Sequence, residues 1–417
     1  MQTGGAASRL PCMTTWEMRG ISAMEPHAAI VPVRRLFRAE NRDFLLLLGT
    51  TLFLVVFGLV MVLSSSTIES HSENEGFYGR FIHQGLFAAV GVPLMLLAAR
   101  MPPRFWKRWA WPALIVGGAL QLLVFVPNLG YAYGGNRNWL LIGDFSVQPS
   151  EFVKIALIVW VAWVLSTKAG MLGDWRHLLV PIGPVAGIAI AFVLIGNDLG
   201  TAFIMIMIVL GCLFFAGVRF RFILTAIAGI AVVGLLFAAG SSSRSSRIAS
   251  WFGGCSPADL SGSCWQPEHA KWALAGGGLF GKGIGNSAIK WNWLPHASSD
   301  YIFAIIGEEL GLIGAIITLL LFLVLAIAFV RIIRATRDNF ARITTAGVMV
   351  WVIGQAFVNI AVVLGVLPVL GVPLPLISVG GSALISTLLG IGVVLSFARS
   401  RVAVDERAWH PVLARQR

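Results

Sequence analysis

The sequence predicts an all-α integral membrane protein with ten transmembrane helices, both termini cytoplasmic, and a large extracytoplasmic loop between helices seven and eight. Three observations carry that expectation. Hydrophobic residues make up 57% of the 417-residue chain and charged residues only 12%, with mean hydropathy +0.82. A soluble domain carries about 25% charged residues, so a soluble enzyme, a disordered chain and a secreted disulfide scaffold are excluded. Apolar runs near the roughly 20 residues needed to cross a bilayer recur along the chain. Finally, Lys and Arg concentrate on alternate connections, as cytoplasmic segments do. The net charge of +12 is therefore an orientation signal, and no nucleic-acid partner is expected.

Taken in order, residues 1–42 form a cytoplasmic, disordered tail without an apolar run of spanning length. The ten spans are 44–64, 81–99, 110–127, 150–167, 178–195, 200–217, 222–240, 301–330, 343–367 and 378–397, within a membrane domain at 43–400. The first span lies too far from the start, and is too long, for a cleaved signal peptide. Arg34, Arg35, Arg38 and Arg42 precede it, and Arg100, Arg104, Lys107 and Arg108 follow the second span. Arg331, Arg334, Arg337 and Arg342 follow the eighth, and the tail at 401–417 is again basic. Two outside segments, 128–149 and 241–300, are long, and long loops are more often functional than connecting.

Several residues in and beside those loops are candidates for chemistry. Asp300 stands just before the eighth span, where a carboxylate serves equally as a helix cap or a catalyst. Glu151 and Lys154 are three apart at the start of the fourth span and share a face; charges at membrane depth usually line a cavity. Glu308 and Glu309 lie deeper on the eighth helix, as a packing pair or as part of a site. Gly276 to Lys282 has the spacing of a phosphate-binding loop, but Gly283 stands where that loop needs Ser or Thr. Those glycines instead let the backbone bend sharply. Between the ninth and tenth spans, Pro368, Pro373 and Pro375 interrupt an apolar stretch. Irregular backbone at that depth survives only buried in protein or lining a cavity, and Asn359, Ser378 and Ser382 bring polar groups there. Cys255 and Cys264 share the large outside loop, where an oxidising exterior makes a disulfide plausible.

At these motifs the chain resembles the SEDS family, the FtsW, RodA and SpoVE proteins. The resemblance runs over 43–400 and rests on QPSEFVK, NDLGTA, ALAGGGLFGKGIGNS, DYIFAIIGEELG and NIAVVLGVLPVLGVPLPLISVGGS. NIAVVLGVLPV and the long tail are more similar to the FtsW branch than to RodA, and the Cys-bearing loop to actinobacterial members. Departures are His296 where members often have Glu, Asn197 before Asp198-Leu199-Gly200-Thr201, and Val379 within the Ser378 motif. Asn138 stands between Arg137 and Trp139, where the family joins Arg to Trp.

The resemblance implies a peptidoglycan glycosyltransferase polymerising lipid II on the outer face of a bacterial cytoplasmic membrane, in septal wall synthesis. Asp300 falls on the family's essential acidic residue, Lys154 on the Lys of its QPSE motif and Arg137 nearest its Arg. Asp300 is then the base. Lys154, Arg137, Glu151, Gln148, Ser150, Lys271, Lys290 and Ser378 are expected to bind substrate. Mg2+ or Mn2+ would share the charge on the diphosphate, and no nucleotide is expected. Expected partners are lipid II, a class B penicillin-binding protein, other division proteins and membrane lipids. A lipid II flippase, since broken helices also build carriers, and a non-catalytic division scaffold are the alternatives.

Overall fold

The computed structural model describes residues 41–72, 78–133, 136–143, 145–239, 242–254, 262, 264–291, 294–295 and 297–413. The predicted tail before residue 41, Cys255 and His296 lie outside the described residues. The helices are α1 (Arg42–Ser72), α2 (Gly79–Ala98), α3 (Pro103–Leu123), α4 (Pro149–Thr167), α5 (Trp175–Ile195) and α6 (Leu199–Ala216). They continue with α7 (Phe220–Ala239), α8 (Ser242–Gly253), α9 (Trp265–Gly277), α10 (Ile302–Ala335), α11 (Asn339–Val363) and α12 (Gly381–Leu413).

Among the described residues, α1, α2, α4, α5, α6, α10, α11 and α12 are long and apolar enough to cross a membrane. The chain is a multi-pass membrane protein. Helices α3 and α7 stand where the sequence puts the third and seventh spans. The first turns of α3 carry Arg104, Lys107 and Arg108, which shortens its apolar part, and the apolar stretch of α7 is Phe220–Gly234. Ion pairs between Asp43 and Arg331 (2.7 Å) and between Lys107 and Asp338 (3.1 Å) mark one end of the bundle, the cationic end.

The core is built on α4, α11 and α12, whose spanning stretches are mostly buried, whereas α5 is peripheral. Helices pack closely where glycines remove side chains, the usual means in a medium with no hydrophobic drive between helices. A methyl on Gly392 of α12 would touch Met95 O of α2 at 2.5 Å, and one on Gly347 of α11 would touch Cys212 Sγ of α6 at 2.8 Å.

Three features depart from the expected all-helical plan or refine it. The first long loop folds into a small antiparallel sheet, β1 (Gly130–Tyr133), β2 (Asn136–Ile142) and β3 (Phe145–Val147). Its register pairs Tyr131 with Trp139 and Leu141 with Ser146. The second long loop contains α8 and α9, too short to register as spans. The proline-rich connection between α11 and α12 is broken and buried, as expected, with Leu374, Leu376 and Ile377 inside. It reaches α1, where a methyl on Gly58 would sit 2.6 Å from Leu376 O.

Helix α10 is also interrupted. Gly311 has φ 70° and ψ −166°, which no helix accommodates. A break frees backbone groups that must find partners away from water. The glycine-rich segment after α9 supplies them. Lys282 N and Gly283 N donate to Glu308 O (3.0 Å) and Glu309 O (2.9 Å), and Leu312 N and Ile313 N donate to Gly278 O (2.9 Å) and Leu279 O (3.3 Å). Gly281, at φ 79°, lies against Glu309 O with no room for a side chain. The glycine run is a splice into a broken helix, which is the bending role expected of it.

Candidate functional site

Asp300 lies in the turn that leads into α10. The N-cap position of α10 is Tyr301, one residue after Asp300. Three successive carbonyls fix the turn. Ser298 O accepts from Val379 N at 3.0 Å, Ser299 O from Ser378 Oγ at 2.5 Å and Asp300 O from Asn359 Nδ2 at 2.7 Å. Asn359 Nδ2 also donates to Val372 O at 2.7 Å. From α2, Arg80 Nη1 donates to Ser298 Oγ at 3.1 Å, and Gln84 bonds Ser378 O and Gly380 N at 3.1 Å each. The backbone is held from α2, α11 and the broken connection, while the Asp300 side chain is half-buried. A methyl on Gly371 would sit 3.7 Å from Asp300 Oδ2, so the bare Cα of Gly371 faces the carboxylate.

Beyond that loop stands a carboxylate the sequence reading left out of the site. Gly200 of α6 packs against Leu370 O, and Asp198 caps α6, its Oδ1 accepting from Thr201 N at 2.9 Å. Asp198 Oδ2 accepts from Gln148 Nε2 at 2.9 Å. Burial pushes the Asp198 carboxyl above the usual carboxylate range; the bonds from Thr201 oppose that rise, Glu151 adds to it and Lys154 opposes it. The signal available in the sequence was an acidic residue flanked by apolar spans on both sides.

Lys154 is 1% exposed. Its ammonium is 2.7 Å from Glu151 Oε1, 3.2 Å from Gln355 Oε1 and 4.9 Å from the Trp351 ring centroid. Glu151 Oε2 accepts from Ser386 Oγ at 3.3 Å, and Gln355 Nε2 donates to Pro373 O at 2.9 Å. The network thus runs from α4 to the loop that touches Asp300. Gln148 N is 3.2 Å from Ser382 Oγ. Ser150 is fully buried, its hydroxyl without a hydrogen-bond partner among the described residues.

Arg137 lies on β2, half-buried, its N donating to Gly196 O at 2.9 Å. Asn138 is buried, bonding Gln121 (3.3 Å) and Gly196 O (3.2 Å). It anchors the sheet to α3 and the α5–α6 turn, and the alternation of a strand places Arg137 on the opposite face. Lys271 is exposed and pairs with Glu268 at 2.8 Å. Lys290 is buried against Gly285 O, Ser64 O and Glu309, the last at 3.5 Å. Glu309 Oε2 accepts from Ser64 Oγ, and Glu308 binds Lys282 (2.6 Å), Ser287 and Ala288 N. Lys290 therefore belongs to the α10 break, and Asp300, Ser378, Lys154, Glu151 and Gln148 gather around the broken connection. Cys264 is disulfide-bonded. Among the described residues no group of three or more His, Cys, Asp or Glu comes together to hold a metal.

A family profile for FtsW, RodA and SpoVE, described as cell cycle protein, matches residues 44–402. The chain belongs to this family. A mycobacterial relative (Mycobacterium tuberculosis), named a probable peptidoglycan glycosyltransferase FtsW, is 39% identical over 86% of this chain and 68% of its own length. The stage V sporulation protein E of Bacillus subtilis is 35% identical over 85% of this chain and 96% of its own. In fold, the FtsW/RodA/SpoVE architecture is shared with a chain of a peptidoglycan synthase complex (TM-score 0.71, 23% identity, covering 88% of this chain and 99% of that one). It is shared also with Thermus thermophilus RodA (TM-score 0.65, 24% identity, covering 88% and 99%).

Proposed function

We propose that this chain is a peptidoglycan glycosyltransferase that joins lipid II units into glycan strands on the outer face of the cytoplasmic membrane. The observation that carries the reading is the Asp300 turn, whose backbone is pinned at three consecutive carbonyls. Held there, the carboxylate faces the bare Cα of Gly371. A fixed base needs a backbone that holds its carboxylate in place. The names of the relatives support the same chemistry.

In this reading Asp300 accepts the proton of the acceptor sugar's 4-hydroxyl. The freed oxygen attacks the anomeric carbon of the donor, the bond from that carbon to the diphosphate oxygen breaks, and the lipid diphosphate leaves. A single displacement inverts the anomeric centre. Arg137, half-buried on β2, would stabilise charge developing on the diphosphate. Mg2+ or Mn2+ prefers oxygen donors such as those of the diphosphate, and such an ion would neutralise the same charge. Lys154 and Glu151 act by holding the loop beside Asp300. The basic segments face the cytoplasm, and the sheet end faces out. Septal location and a class B penicillin-binding protein partner belong to the same reading, the latter supported by the fold match to a synthase complex.

The test is purified protein supplied with lipid II. Loss of a general base costs about 10²–10⁴-fold in rate, so Asp300→Asn is expected to make almost no glycan while eluting as folded protein. A variant polymerising at the parental rate overturns the base assignment. Transfer of labelled lipid II across vesicles without polymer would favour a flippase.

A further inference from the structure

The exposed tip of the glycine-rich splice is apolar. Leu279 is 61% and Phe280 80% exposed, and Ile284 is exposed beside them. Water disfavours apolar side chains of this size, so such a tip in water is unfavourable. Its depth follows from α10. Beyond the break, Leu312, Ile313, Ile316, Ile317, Leu320 and Leu323 form an exposed apolar stripe. That stripe ends at Arg331, which pairs with Asp43 at the cationic end. From Leu312 to Arg331 the helix rises about 28 Å at 1.5 Å per residue, close to the roughly 30 Å hydrocarbon core. Leu312 thus marks the far hydrocarbon boundary. The tip is tied to that level by the bonds from Leu312 N to Gly278 O (2.9 Å) and Ile313 N to Leu279 O (3.3 Å).

We infer that Leu279 and Phe280 are a membrane wedge, seated among the lipids of the leaflet at the sheet end. The partner is the bilayer itself, because the tip continues the lipid-facing stripe of α10 without a step in depth. The other edge of the same segment, Lys282 and Gly283, donates to Glu308 O and Glu309 O. Lipid packing on one edge therefore holds the splice on the other, and with it the short helical stretch that begins after Asp300.

The experiment places a nitroxide at Phe280→Cys in a background where Cys12, in the segment before residue 41, is changed to Ser, with the full chain in lipid nanodiscs and no partner protein. The accessibilities to oxygen and to a water-soluble nickel chelate are then compared. Leu320→Cys is the lipid reference and Asn136→Cys, on the exposed start of β2, the aqueous one. The oxygen-to-nickel ratio at 280 is expected near that at 320 and several-fold above that at 136. A ratio matching position 136 overturns the wedge. Low access to both reagents also overturns it, since protein would then cover the tip. A second measurement uses Leu279→Ser/Phe280→Ser, which alters only exposed side chains. Amide exchange at 282–283 in nanodiscs is expected to rise several-fold, and unchanged exchange would sever the link between lipid packing and the splice.

Discussion

Two buried acid–base clusters flank the Asp300 turn, and they solve one problem differently. The α4 cluster pairs Glu151 with Lys154 on a single helix, three residues apart, and closes on Gln355 and Ser386. The α10 cluster sets two adjacent carboxylates, Glu308 and Glu309, against Lys282 and Lys290, cations from a loop earlier in the chain. A charge inside a membrane protein must be paired. In α4 the pairing is local, and the helix stays intact. In α10 it requires a break at Gly311, a glycine segment spliced into it and a lysine on each side. The first cluster leans on the loop facing Asp300; the second fixes the helix that Asp300 precedes.

The largest effect should come from separating the α4 pair. Lys154→Met leaves Glu151 buried beside a neutral side chain, and breaking a buried pair this way costs about 3–5 kcal/mol. Thermal unfolding should show a large drop. Replacing both members, Glu151→Gln with Lys154→Met, removes the stranded charge and should restore most of the melting temperature. Because the ammonium is sealed from open space, the double variant should show a reduced turnover number and an unchanged KM for lipid II. A raised KM would mean that Lys154 touches substrate after all, which would break the contrast with the α10 lysines.

The α10 cluster should separate its own two lysines. The side chain of Lys290 is 5% exposed and that of Lys282 39%. Lys290→Met should destabilise nearly as much as Lys154→Met, since among the described residues only Ser64 would still donate to Glu309. Lys282→Met should cost about 1 kcal/mol, the upper end for half-exposed pairs, because Ser287 and Ala288 N still donate to Glu308. Equal melting shifts would show that the splice is held by its backbone bonds and not by its charges.

The same contrast separates what the sequence reveals from what it hides. Spanning runs follow from local hydropathy, so the long helices were legible, as was the i, i+3 pair of Glu151 and Lys154. The broken α11–α12 connection was legible because prolines in an apolar run have few other uses. The sheet was not, since β1–β3 are short and lie between glycines. The partners of Glu308 and Glu309 were hidden because pairing by a distant loop leaves no periodic trace. Lys290 had the look of a loop cation free for substrate, and only the fold shows it committed to Glu309. Asn138 disturbed the alignment of Arg137 with the family motif, yet its burial against Gln121 and Gly196 shows an anchor that leaves Arg137 on the other face of the strand. Asp198 was missed because its helix-capping motif suggests a purely local role, whereas its second oxygen reaches Gln148.

The smallest expected effect tests that last residue. Asn caps helices as well as Asp does, so Asp198→Asn should keep the bond to Thr201 N. Gln148 can turn its amide to offer an oxygen to the new side-chain N–H. At neutral pH the variant should melt within about 1 kcal/mol of the parent, and the informative readout is the pH dependence. Because burial raises the folded-state pKa of Asp198, the folded chain holds a proton the unfolded chain has released. Its contribution to stability is then present in acid and is lost as pH climbs from the ordinary carboxylate range through the raised folded value. Melting temperatures measured across that window should fall with rising pH more steeply in the parent than in Asp198→Asn. Parallel curves would mean that Asp198 is ionised in the folded state at every pH tested, an unneutralised charge beside the Glu151–Lys154 pair, and the α4 side of the site would then need a further cation to balance it.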